Sequence, residues 1–314
     1  AVVDVLTGAI NPSGKLAESY PFHYEDVPSA GFYETGGRQA QYREGIYVGY
    51  RYYDTAKKEV CFPFGHGLSY TKFEYRDLKL SKAEMNDNDE LTVTALIQNT
   101  GAVDGAEVVQ LYISATGGTI FRPEKELKGF SKVFLKAGET KEVVFHLDSC
   151  SFACYDARRR REPHAKAWIV PAGDYTISLA SSSRDIRLQD TVTVHSEQVS
   201  AAHAPAPAWY FHPTGQPSQA DFEALLGRPI QPAAPPRKGE FTLSSSFRDM
   251  QGDLVIRLVK GYLMKSVVKE LGGANDTDPN FKMVIECLET NPLQALALAS
   301  SGRFTASMAQ GMVE

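Results

Sequence analysis

The stretch Leu91-Thr92-Val93-Thr94-Ala95-Leu96-Ile97-Gln98-Asn99 sets the fold class, because Leu91, Val93, Ala95 and Ile97 recur at every second position. A period of two sends those side chains to one face of an extended strand. The same alternation returns in Val109, Leu111 and Ile113, in Val143, Phe145 and Leu147, and in Tyr175, Ile177 and Leu179. Between these runs stand Asn99-Thr100-Gly101, Asp104-Gly105, Gly117-Gly118, Lys136-Ala137-Gly138 and Pro171-Ala172-Gly173. These are positive-φ or tight-turn signals that antiparallel strands require. About seven or eight strands at such spacing close most naturally as a β-sandwich. The expected domain spans residues 71–196. The Cys…Trp…Cys pattern of antibody-like domains is missing, which favours the fibronectin-III-like version of the immunoglobulin-type sandwich over the antibody version.

Outward from this core the composition changes on both sides. Residues 1–70 begin with an apolar helical stretch, Ala1 to Leu6, then the turn Asn11-Pro12-Ser13-Gly14 and an extended run ending at Tyr20-Pro21. That order reads as the last helix and strand of an α/β layer. So short a helix needs a partner to bury against, and the chain reads as a fragment of a larger protein. Between Phe22 and Gly67, Tyr33, Tyr42, Tyr47, Tyr50, Tyr52, Tyr53, Phe62 and Phe64 crowd among glycines. Large rings in such a segment suit an ordered junction pressed on another surface; a sugar-stacking platform is the sharper alternative. Glu44 and Asp54 within it are expected to pair with a nearby arginine such as Arg43 or Arg51. Residues 197–240 are rich in Pro and Ala and read as a linker or surface strap, with Trp209-Tyr210-Phe211 pinning one end. Residues 241–314 return to helical spacing, with Leu254, Leu258 and Leu263 in one segment and Met283, Ile285, Leu288, Leu293, Leu296 and Leu298 in others. Asn291-Pro292 and Gly302 should break the last helices of this small tail.

The whole chain is 43% hydrophobic and 23% charged, with a net charge of −5 and a pI near 5.9. That balance gives no long-range attraction to phosphates, so nucleic acid is not an expected partner. No apolar run approaches the ~18 residues needed to span a bilayer. Asp249, Asp253, Glu270, Glu286 and Glu289 make the helical tail too acidic for a membrane-surface helix. Cys61, Cys150, Cys154 and Cys287 are scattered, which favours reduced thiols and a cytoplasmic location. His146, Cys150, Cys154 and His164 share one window, but they lack ordinary zinc-site spacing, so no metal is expected. His146 should face solvent and the two cysteines should lie in the following loop. The run Arg158 to Arg161 reads as a solvated loop.

Four stretches, in order, resemble glycoside hydrolase family 3. Asp4-Val5-Leu6-Thr7-Gly8-Ala9-Ile10-Asn11-Pro12-Ser13-Gly14-Lys15-Leu16 is similar to the end of that family's α/β-sandwich domain. Tyr42-Arg43-Glu44-Gly45-Ile46-Tyr47-Val48-Gly49-Tyr50-Arg51-Tyr52-Tyr53-Asp54 and Phe62-Pro63-Phe64-Gly65-His66-Gly67-Leu68-Ser69-Tyr70-Thr71 are similar to the segment joining it to a fibronectin-III-like domain. That domain follows, with Gly105 to Tyr112, Arg122 to Phe130 and Gly173-Asp174-Tyr175. The resemblance implies hydrolysis of terminal, non-reducing β-linked sugars with retention, which needs two carboxyl groups about 5 to 5.5 Å apart. In the family these belong to an N-terminal barrel and an earlier part of the α/β-sandwich domain, so it implies no catalytic residue in this chain. It also implies no cofactor. The expected partners are a glycoside or oligosaccharide substrate of the parent enzyme, its N-terminal catalytic domains, and a second copy of the chain.

His66 is the one candidate for substrate contact, flanked by glycines that let the backbone approach a neighbour closely. A structural hydrogen bond at the domain junction is the simpler expectation for it. The competing view of the whole chain is a stand-alone carbohydrate-binding or protein-interaction sandwich. The exposed apolar face expected at Ala1 to Leu6 counts against that view.

Overall fold

The computed structural model describes residues 2–33, 40–116, 120–156, 167–198, 206–231, 234, 236–270 and 277–314. The chain divides into two compact units, Ala1–Ile230 and Gln231–Glu314. The turn signals at 117–118, the arginine run 158–161 and His164 lie outside the described residues.

The first unit is built on a β-sandwich. Strands β1 (Phe73–Leu80), β3 (Leu91–Asn99) and β6 (Thr140–Leu147) form one sheet, in the order β1-β3-β6. The other sheet has the order β2-β10-β9-β4-β5, from β2 (Glu84–Asn86), β10 (Asp185–His195), β9 (Gly173–Ser182), β4 (Gly105–Ala115) and β5 (Glu126–Leu135). A separate two-stranded sheet pairs β7 (Cys154–Tyr155) with β8 (Trp168–Ile169). Every pairing is antiparallel except β10 with β2. The register puts Val93 opposite Phe145 and Ala95 opposite Val143, so the alternating apolar positions meet on one face. Leu91, Val93, Ala95, Ile97, Val109, Leu111, Ile113, Val143, Leu147, Ile177 and Leu179 are all buried in a single core between the sheets. The sequence-expected sandwich is therefore present, and Met85, Val192 and Val194 on the strands without clear periodicity complete its core.

Two side chains lock its corners. Asn99 is fully buried at the end of β3. Its amide donates to Val103 O (2.8 Å) and Leu135 O (3.2 Å), and its Oδ1 accepts from Thr71 Oγ1 and Gly101 N. Tyr175, two residues into β9, sends its hydroxyl back to Pro171 O at 2.8 Å. That arrangement is a tyrosine corner, the device that fixes the turn into this strand in immunoglobulin-type sandwiches.

Ahead of the sandwich, helix α1 (Val2–Leu6) buries none of its residues. The extended run after it does not form the expected strand. Leu16 N bonds His66 O and Gly65 N bonds Leu16 O, and a single bridge joins Tyr20 to Phe62. The pairing is broken into two short patches, with Pro21 and Pro63 each removing a backbone donor. The segment expected as a linker carries helices α4 (Ala208–Phe211) and α5 (Gln219–Leu226), and Tyr210 is fully buried within the first unit.

The second unit holds α6 (Leu254–Glu270), α7 (Pro279–Thr290), α8 (Leu293–Ala299) and α9 (Ala306–Val313). Phe247, Met250, Ile256, Leu293, Phe304 and Ala309 form its core. Asp278 caps α7 and Thr305 caps α9 through bonds to backbone amides. The inward face of α6 runs through Ile256, Val259 and Leu263, whereas Leu254 and Leu258 are exposed. Leu254 and Leu258, expected to share a face with Leu263, thus lie outside the buried stripe. Nor do the acidic residues stand alone: Arg248 pairs with Glu286 and Glu289, Lys260 with Glu289, and Lys238 with Asp253.

Tyr175→Phe should lower unfolding stability by about 1 kcal/mol, because the half-buried Pro171 carbonyl loses its donor without a change in packing volume. Urea unfolding of the two proteins measures this; a difference under ~0.3 kcal/mol would mean that the corner does not hold the turn.

Candidate functional site

The junction between residues 10 and 70 lies on the outer face of the five-stranded sheet, and this placement changes what β4 must do. Val109, Leu111 and Ile113 face the sandwich core, while Gln110 and Tyr112 on the opposite face are buried too. Gln110 Nε2 donates to Gly65 O at 3.2 Å and Ser181 O at 2.8 Å, and its Oε1 accepts from Tyr112 Oη at 2.6 Å. Gly65 has φ +78, and a Cβ there would come within 2.0 Å of Gln110 Oε1. At Gly67 a Cβ would meet Gly14 O at 2.5 Å. Both glycines thus permit close backbone approach on either side of His66.

His66 itself is half-buried. Its carbonyl accepts from Leu16 N, its amide donates to Pro63 O, and its ring lies 5.2 Å from that of Phe62. The imidazole has no hydrogen-bond partner among the described residues, so the junction bonds at this position are made by backbone, not by the side chain.

Further along, the aromatic residues form their own small core. Tyr47, Tyr52, Tyr53, Val60 and Tyr210 are buried together, with Phe121, Trp209 and Leu225 against them. Helix α2 (Tyr50–Thr55) supplies three of the buried groups, Tyr52, Tyr53 and Asp54. The Tyr47 hydroxyl donates to the Tyr210 carbonyl, and Tyr210 Oη donates to Arg43 O at 2.7 Å. Tyr52 Oη reaches Gly215 O at 3.0 Å. Burial pushes the Tyr210 phenol up to about 12, so it remains a donor at neutral pH. Packing, not sugar stacking, accounts for these rings.

Two carboxylates in this segment have opposite surroundings. Asp54, with a side chain 3% exposed, receives Arg184 Nε at 2.8 Å and lies 3.4 Å from Lys125 Nζ. Arg184 also donates to Tyr53 O (3.2 Å) and Lys58 O (2.6 Å), closing the β9–β10 turn onto the junction. Glu44, by contrast, is 7% exposed, and its Oε2 is buried with no hydrogen-bond partner among the described residues. Desolvation raises its pKa, opposed in part by its own backbone amide. Neither carboxylate uses the neighbouring arginines that the sequence suggested. Arg43 bonds Gln41 Oε1 at 2.7 Å and lies over Phe32, and Arg51 pairs with Glu126 at 3.4 Å. The partner of Asp54 comes from a distant hairpin, a pairing that local spacing could not reveal.

In the window from His146 to His164, His146 is exposed on β6 beside Thr92, Cys150 is exposed, and Cys154 is buried in β7. The two cysteines therefore do not share a loop: Cys150 sits in helix α3 (Ser149–Phe152). His164 lies outside the described residues. Among the described residues, no three His, Cys, Asp or Glu side chains gather as a metal site, and no helix is long and apolar enough to cross a membrane.

The geometry can be set beside known proteins. Residues 1–70 match the glycosyl hydrolase family 3 C-terminal domain, and residues 107–183 match the fibronectin type III-like domain. The thermostable beta-glucosidase B of Acetivibrio thermocellus is 36% identical over 314 residues, which is 100% of this chain and 36% of that protein. An exo-alpha-(1->6)-L-arabinopyranosidase of Bifidobacterium longum is 44% identical over 194 residues, covering 62% of this chain and 24% of that protein. Beta-glucosidase 3B from Thermotoga neapolitana, solved in complex with glucose, aligns at a TM-score of 0.54 and 43% identity over 61% of this chain and 26% of that one. A Bifidobacterium adolescentis GH3 beta-glucosidase aligns at 0.57 and 39% identity, over 68% of this chain and 31% of that one. The chain thus spans roughly a quarter to a third of the length of the relatives it matches.

Asp54→Ala should cost about 3–5 kcal/mol, since it leaves the Arg184 and Lys125 charges without their buried counter-ion; thermal unfolding that is unchanged would show the pair to be dispensable. Glu44 sets a pH dependence whose sign follows from its raised pKa. Stability is full below the ordinary value of 4.5 and is lost as pH rises through the folded-state pKa, because the folded state must then hold a buried charge. Glu44→Gln should therefore flatten the stability profile above pH 4.5; identical profiles for the two proteins would overturn this assignment.

Proposed function

Because the chain is the C-terminal portion of a family 3 glycosyl hydrolase, carrying the end of that family's C-terminal domain and its fibronectin type III-like domain, we propose that it is the scaffold of a retaining β-glycosidase. The parent enzyme removes terminal, non-reducing β-linked sugars, using two carboxyl groups that lie in its other domains. The observation that carries this reading is the agreement of two family models, in the right order, over the residues that build the junction and the sandwich. The sandwich supplies a rigid base, and the junction fastened to it through Gln110, Asn11 and Asp54 presents the family's C-terminal-domain segment at a fixed angle.

The face offered to the catalytic domains is apolar. Val2, Val3, Leu6 and Ile10 on and after α1, with Leu68 and Tyr70 beside them, are exposed. Tyr70 Oη is tied to Val5 O at 2.7 Å, and Asn11 joins Asp104 to Ser69 and Tyr70, so this patch is held in shape by the sandwich. Large apolar side chains left exposed in this number mark a docking surface. The catalytic domains are its partner in this reading. Four free cysteines support a reducing, cytoplasmic compartment for the protein. The stand-alone binding-module view gains nothing from α1, which a self-sufficient module would have to cover.

The chain alone should not hydrolyse nitrophenyl β-glucoside, and measurable turnover would mean that the catalytic carboxyls are within it. In the parent enzyme, His66→Ala should change kcat/KM by no more than about twofold while lowering Tm; a large loss of kcat/KM at unchanged Tm would make His66 a substrate contact instead.

A further inference from the structure

We propose that Tyr155 and Trp168 form a stacking platform for a β-linked glucan chain, an inference that rests on the glycosidase reading above. The small sheet β7–β8 places Cys154 opposite Ile169 and Tyr155 opposite Trp168. Side chains alternate across a strand, so the first pair points inward and the second outward. Cys154 and Ile169 are buried, whereas Tyr155 is 41% exposed and Trp168 63% exposed. Phe152, two residues before β7, is fully buried in the sandwich core, and its ring stands edge-on to Tyr175 at 5.4 Å. Arg122 Nη2 donates to Phe152 O at 3.3 Å, and Asp156 N bonds Ala167 O at 2.8 Å, extending the ladder by one rung. The two rings are thus carried side by side on paired strands.

Their mutual geometry leaves stacking surface open. The ring centroids are 5.3 Å apart and the planes meet at 69°, an edge-to-face contact that cannot cover both faces of either ring. Aromatic faces stack on the C–H faces of pyranose rings, and the Tyr155 hydroxyl adds a polar handle for sugar hydroxyls. Size separates a sugar from a protein as the occupant. Two rings fall far short of the ~800 Å² per partner of a stable protein interface, but match one or two sugar units.

Other exposed rings have different explanations. Tyr20, Phe22, Tyr24 and Phe62 belong to the segment that matches the family C-terminal domain, where the catalytic domains are the expected cover. Phe130 and Phe134 stand singly on the edge strand β5, with no ring partner among the described residues. Among the described residues outside the segment that matches the family C-terminal domain, Tyr155 and Trp168 are an exposed ring pair that cross-strand register holds together.

The test is native gel electrophoresis of the 314-residue chain in gels containing barley β-glucan or laminarin, with dextran as the α-linked control. Retardation is expected in the β-glucan gels and not in dextran. Trp168→Ala should weaken it about tenfold or more, Tyr155→Ala less, and Trp168→Phe should retain part of it, all with Tm unchanged. Indole emission gives a second reading, because Trp209 is the other tryptophan: a β-glucan-dependent shift should be present in the wild type and absent in Trp168→Phe. An unretarded wild type, or Trp168→Ala retarded as strongly as the wild type, would overturn the platform. So would self-association that Trp168→Ala abolishes, since the pair would then be a protein contact. Hydrolysis of nitrophenyl β-glucoside by the parent enzyme tests the underlying reading separately, as one sugar unit does not need the platform.

Discussion

Burial of β4 on both faces is the constraint on which the first unit depends. A strand of an ordinary two-layer sandwich has one wet face, and its polar positions go there. Here Gln110 and Tyr112 occupy those positions and are covered by the junction, so their polar atoms need partners within the protein. Gln110 meets this by spanning Gly65, Ser181 and Tyr112, which joins three separate stretches of chain through one amide group. The absence of a side chain at Gly65 lets the backbone come that close. Together with Asn11 and Asp54, this contact seats the junction on the sandwich.

Charge reinforces the same seam. Asp54 draws Arg184 and Lys125 into a buried network, and Arg184 spends its remaining donors on carbonyls of the junction. Such a network adds little net stability over an apolar packing of equal shape. What it adds is direction, because the guanidinium fork accepts only one arrangement of carbonyls around it. Glu44 has no such network, and desolvation of its carboxyl makes the junction sensitive to pH.

The sandwich was legible in the sequence because its inward positions repeat every second residue and its turns are marked by Gly, Asn and Pro. The core strands β3, β4, β6 and β9 could be read in this way. Strands such as β10 were not, since Asp190 interrupts the alternation of Ile186, Leu188, Val192 and Val194, and only the last two are fully buried. The aromatic junction could be recognised by composition, but not its contacts: Asp54 to Arg184 and Tyr47 to Tyr210 join residues whose separation in sequence carries no periodic signal. The buried face of α6 was misread for another reason. Leu254 and Leu258 are apolar at helical spacing, yet so are Ile256, Val259 and Leu263, and hydrophobicity alone could not choose between two apolar stripes. His66 stood out through its flanking glycines, and these turn out to serve the approach of backbone to Gln110 and Gly14.

The contact between Tyr47 and Tyr210 has a consequence for how the chain is made. These residues are 163 positions apart, and the aromatic core around Tyr47 is not closed until the later one arrives. At a synthesis rate of roughly 5–20 residues per second, that interval is about 8 to 30 s. During it the sandwich can form, while Tyr47, Tyr52 and Tyr53 wait uncovered on the nascent chain. A late segment of the first unit is therefore the one that seals it, and any pause before Trp209-Tyr210 prolongs the time in which those rings can find the wrong partner.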